Sequence, residues 1–76
     1  MMSRTLPDRS VHAHDDLGEI VRYDVSGKWW WEPRGDGMRV PMKVRAAALF
    51  AVDTGMEICE NAPGGSAFMR AAKARA

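Results

Sequence analysis

The sequence predicts an α+β domain in which a small antiparallel sheet, a hairpin or meander plus a short extra strand, packs on a central helix beside a short C-terminal helix. Three observations point there. Val21 to Glu32, VRYDVSGKWWWE, reads as a β-hairpin with three consecutive tryptophans on its second strand; Pro41 to Thr54 has a helical pattern closed by Gly55; and Ser66 opens an alanine-rich ending of helical composition.

Met1 to Gly18 alternates polar and small residues around Pro7 and shows no sustained period of 2 or 3.6, so it reads as a flexible arm before a single domain at 19–76. Its His12-Ala13-His14-Asp15-Asp16 run could offer metal ligands, since His12 and His14 share a side in an extended chain. No rigid element holds them, and no metal site is assigned. The first strand is Glu19 to Asp24. A three-residue Val25-Ser26-Gly27 loop, with Gly27 left-handed, would set Asp24 opposite Lys28, Tyr23 opposite Trp29, Arg22 opposite Trp30 and Val21 opposite Trp31. One face is then Val21, Tyr23, Trp29 and Trp31, the core side. The other holds Arg22, Asp24, Lys28, Trp30 and Glu32, with Arg22 placed to stack on the Trp30 indole.

Pro33 ends the pairing, Arg34-Gly35-Asp36-Gly37 turns, and Met38-Arg39-Val40 is either a third, edge strand or the lead into a helix. Pro41 suits the first helical position, and Gly55 the left-handed stop. Pro41, Val44, Ala47, Ala48, Ala51 and Val52 make a narrow face of mostly small side chains for the sheet, with Met42, Leu49 and Phe50 on the far side. Met56 to Glu60 is a short strand, Asn61 to Gly65 a loop, and Ser66 the N-cap of a helix from Ala67 to about Arg75 that docks through Phe68.

Composition narrows the function. A chain of 76 residues with net charge +1 gives no bulk electrostatic reason to bind nucleic acid, and its one cysteine, Cys59, excludes an intrachain disulfide. No apolar run reaches the ~20 residues of a membrane span. The N-terminus lacks a signal-peptide core, so a cytoplasmic protein is expected. No catalytic motif appears and the histidines lie in the arm, which points away from an enzyme and from any cofactor. Gly64-Gly65-Ser66 reads as a loop and cap rather than a phosphate cradle.

Trp30 alone among charges makes Trp30, Arg22, Lys28 and Glu32 a candidate protein-binding surface, because Trp and Arg dominate binding hot spots. The alternative is a DNA- or RNA-binding regulator. Arg39, Lys43 and Arg45 crowd the positive end of the central helix against its macrodipole and, with Arg34, could meet phosphates. Met42, Leu49 and Phe50, left uncovered by so short a chain, predict a homodimer interface. In size, in Ala/Arg/Gly/Asp-rich composition, and in its GKWWWEP hairpin and NAPGGSAFMRAA ending, Gly18 to Ala76 resembles small accessory proteins of actinobacterial phages. That resemblance implies non-enzymatic, stoichiometric binding to a host or phage protein and transfers no site residues.

Overall fold

A computed structural model describes residues 8–76. In chain order the elements are β1 (Arg9–His14), β2 (Gly18–Tyr23), β3 (Lys28–Pro33), β4 (Val40–Met42), α1 (Val44–Asp53), β5 (Glu57–Ile58) and α2 (Ser66–Arg75). The strands form one antiparallel sheet in the order β4-β3-β2-β1-β5, and both helices contribute to the core on one of its faces. The α+β class and the paired central and C-terminal helices are as the sequence predicts. Among the described residues no helix is long and apolar enough to cross a membrane.

The expected arm is not an arm over its described part. Arg9–His14 pairs with β2 on one side and β5 on the other, so it is an interior strand; residues 1–7 of the expected arm lie outside the described residues. A tight turn joins it to β2, in which the Asp15 carboxylate accepts the Leu17 and Gly18 N–H groups at 2.9 and 3.0 Å. The register shifts between Val11 and Ala13, and this bulge sends His12 and Ala13 to the helix side together, both buried. His12 and His14 therefore do not share a side. His14 is half-buried, 3.6 Å from the Glu57 carboxylate, while His12 lies in the core.

The second correction concerns register. Tyr23 pairs with Lys28, Arg22 with Trp29, Val21 with Trp30 and Ile20 with Trp31 across a four-residue loop, Asp24 to Gly27. Gly27, at φ 73°, closes it by donating its N–H to the Tyr23 carbonyl at 2.7 Å. Asp24 belongs to this loop and not to a pair with β3; its N–H donates to the Asp8 carbonyl ahead of β1 and its carboxylate accepts from Ser10 and Arg22. The one-residue shift exchanges the faces of β2: Ile20 and Arg22 join Trp29 and Trp31 on the inner side, and Val21 and Tyr23 join Lys28, Trp30 and Glu32 on the outer.

Of Met38-Arg39-Val40 only Val40 is a strand residue; an edge strand does form, but it is displaced to Val40–Met42, with Trp30 opposite Pro41. Pro41 thus belongs to the strand and not to the first turn of the helix, a position it tolerates because an edge residue can do without a ladder donor. The helix begins at Val44 and lays Ala47, Ala48 and Ala51 into the core. Its end is a Schellman turn: Gly55, at φ 74°, donates to Val52 and Met56 donates to Ala51, which buries the Met56 side chain. The anticipated Met56 to Glu60 strand is shorter, Glu57–Ile58, because beyond it Cys59 N–H turns to the carbonyl of the bulged His12. At the centre of the core the Trp29 and Phe68 rings stack at 5.1 Å and 7°, with the His12 ring 4.5 Å from Trp29 and 5.5 Å from Phe68.

Candidate functional site

Alternation along β3 puts Lys28, Trp30 and Glu32 on the sheet face that neither helix occupies. β2 adds Glu19, Val21 and Tyr23, β1 adds Arg9 and Val11, and β4 adds Pro41. Register sets Glu19 directly opposite Glu32, a like-charge pair that would be destabilising alone. Arg9 resolves it: its Nη2 donates to Glu19 at 2.7 Å and to Glu32 at 2.8 Å. Glu32 also accepts the Tyr23 hydroxyl at 2.5 Å and Arg39 at 3.4 Å. Burial alone would push the Glu32 carboxyl up, but the Tyr23 and Arg9 hydrogen bonds outweigh it and hold it below the usual carboxylate range. Burial and the bond to Glu32 push the Tyr23 phenol up. The result is a fixed ionic lattice on the sheet face that neither helix occupies.

Trp30 sits beside this lattice. Trp29 belongs to the core and Trp31 packs against it, with Phe50 at its edge, but Trp30 does neither. The guanidinium of Arg39 lies 4.1 Å above the Trp30 ring and 5.7 Å from that of Tyr23. Arg39, not Arg22, is therefore the cation on this indole. Arg22 is on the opposite face, where it donates to Asp24 at 2.6 Å and lies against Gly64 of the loop before α2. Of the expected protein-binding residues, Lys28, Trp30 and Glu32 share one surface and Arg22 does not. Tyr23 and Arg9 replace it: Arg9 arrives with β1, and Tyr23 with the shifted register of the hairpin. Trp30 and Lys28 also line a depression of about 390 Å³, with Pro41, Met42 and Lys43, at the end of β4.

The expected basic patch is divided among several surfaces. Arg34 donates to the Asp15 carbonyl at 3.1 Å, Arg39 covers Trp30, Lys43 borders the depression beside Lys28, and Arg45 lies between the two helices. The expected oligomer residues separate as well. Met42 is on the edge strand opposite Trp29 and Phe50 meets Trp31, both packed against the core, and Leu49 alone opens outward between the helices. The reason is the later helix start, which removes Met42 from the helix, together with the flank of the sheet, which reaches Phe50.

Among the described residues no group of three His, Cys, Asp or Glu side chains is placed to hold a metal ion. Compared with family models, with curated proteins and with solved structures, the chain matches none.

Proposed function

We propose that this protein works stoichiometrically, by binding another protein on the helix-free face of its sheet, with Trp30 as the anchor. The observation that carries the reading is the placement of Trp30: a large aromatic outside the core cluster, on a face without a helix, beneath a single arginine whose side chain is 50% exposed. Arg39 can be displaced by a partner's side chain without disturbing the sheet. The Arg9, Glu19, Glu32 and Tyr23 lattice beside it is already ordered, so a partner pairing with it loses little further side-chain entropy. Lys28 at one end and Glu32 at the other offer both signs of charge, which suits a mixed protein surface better than a uniform polyanion.

In this reading the chain is a binder and not a catalyst. The partner implied by the resemblance to phage accessory proteins is a host or phage protein met in the cytoplasm. A homodimer resting on Met42, Leu49 and Phe50 together is not part of the proposal, because those residues do not share a surface.

The test is affinity capture from host lysate with the native chain and with Trp30→Ala, read by mass spectrometry alongside circular dichroism. A specific protein held by the native chain and lost from a folded Trp30→Ala variant is the expected result. Unfolding of that variant would return Trp30 to the core and remove the assignment.

A further inference from the structure

A second surface lies on the other side of the molecule. α1 and α2 run side by side in the same direction: Val44 and Ala67, near their starts, line one groove, and Arg75 makes a two-pronged ion pair with Asp53, at 2.8 and 3.0 Å, at their ends. Between them is an open groove of about 500 Å³. Its apolar lining is Val44, Leu49, Ala67, Ala71 and Ala74, and three exposed arginines, Arg45, Arg70 and Arg75, form its rim. Leu49 is half-buried and lies outside the core cluster. Arg45 and Arg70 are exposed and form no ion pair among the described residues. Arg75 already satisfies Asp53, the acidic residue at the end of α1, so the rim presents unbalanced positive charge.

The chemistry of the groove selects its occupant. Both walls are helices whose backbone groups are bonded internally, so an extended peptide would find no ladder and would leave its own N–H and C=O groups unpaired there. A helix brings its backbone already satisfied and needs only an apolar stripe. Each wall is ten residues long, about 15 Å at the helical rise, which accommodates about three turns of a partner. A second copy of this chain is a poor occupant, because a two-fold interface would set this arginine rim against itself.

We propose that the groove docks an acidic amphipathic helix of a partner protein, its apolar stripe seated on Val44 and Leu49 and its flanking carboxylates meeting Arg45 and Arg70. This site is independent of Trp30 and goes beyond the sheet-face reading.

The experiment selects helix-forming peptides of about 15 residues from a displayed random library, using the full chain as bait and an R45E/R70E chain as counter-bait. Enriched peptides are then measured by fluorescence polarisation, and their contact surface is mapped by amide chemical shifts. Expected are sequences with apolar residues at i and i+4 flanked by Asp or Glu, with shifts at Val44, Leu49 and Ala71. They should bind Trp30→Ala as tightly as the native chain and R45E/R70E more than about tenfold more weakly. If the reversed-charge chain fails to fold, R45Q/R70Q replaces it with a smaller loss expected in the same direction. The proposal is overturned by any of four results: no enrichment over the counter-bait, enriched peptides without carboxylates, equal binding by the arginine variants, or shifts confined to the outer sheet face. Sedimentation showing a dimer that buries Leu49 would also overturn it.

Discussion

His12 carries the sharpest single-residue consequence of this fold. It is 1% exposed, its Nε2 has no hydrogen-bond partner among the described residues, and its ring is boxed by Trp29 and Phe68. Burial lowers its pKa from the ordinary 6.5, and the nearby Arg22 lowers it further, against a smaller opposing effect of Asp24. The imidazole is therefore neutral in the fold at pH 7. The unfolded chain takes up a proton below about 6.5 that the folded chain resists, so stability is full above that pH and falls as pH drops toward the depressed folded value. Thermal melts between about pH 7.5 and 5 should show Tm declining on the acid side, and His12→Leu should be nearly flat over the same range. A native chain with constant Tm through that range would mean that His12 is accessible to protons in the folded state. Glu32, with its pKa held low, adds a separate loss at more acid pH, which begins as pH falls through the ordinary carboxylate range and continues down to its depressed folded value.

At the scale of elements, α2 depends on one side chain. Its N-cap, Gly65, makes no side-chain cap bond, and Phe68 and Ala72 are its buried residues. Its exposed pair with Asp53, about half accessible on both sides, contributes little. Phe68 stacked on Trp29 must therefore supply most of the docking energy. Phe68→Ala should cost about 3–5 kcal/mol, comparable to what a core of this size can supply. Hydrogen exchange should then show α2 amides exchanging freely while any surviving sheet protection centres on β2 and β3. Native-like protection of α2 in that variant would place its docking energy elsewhere, on the alanine contacts with α1.

For the whole molecule the decisive element is β1. Because it stands between β2 and β5, it carries two sets of backbone pairings and delivers His12 and Ala13 to the core. A chain beginning at Glu19 loses all of this. It exposes the edge of β2 and strands β5 without a partner, so it should give a disordered far-ultraviolet spectrum and aggregate. A cooperative melt from that truncated chain would show that β1 is dispensable and restore the idea of an arm.

The sequence by itself determined those parts whose signals are local. Trp29 and Trp31 point inward on alternation along a single strand, Gly55 stops the helix because its left-handed backbone suits glycine, and Phe68 is the apolar anchor of its own short helix. Trp30 on the solvent face follows from the same alternation. Only the tertiary structure decided what depends on a neighbour. β1 lacks an apolar alternation because its inward residues are Ser10, His12 and Ala13, and its bulge breaks the period besides. The hairpin register shifted by one residue because its loop is closed by Gly27 on Tyr23 and holds four residues, Asp24 to Gly27, and not three. That shift decides whether Arg22 or Tyr23 stands on the face of Trp30, and the edge strand decides that Arg39 covers it. Hydrogen bonding between strands is non-local, so a residue's own type does not encode which partner will claim its N–H. The candidate surface was therefore legible at Lys28, Trp30 and Glu32, which one strand aligns, and not at Arg9, Tyr23 and Arg39, which three other segments bring to it.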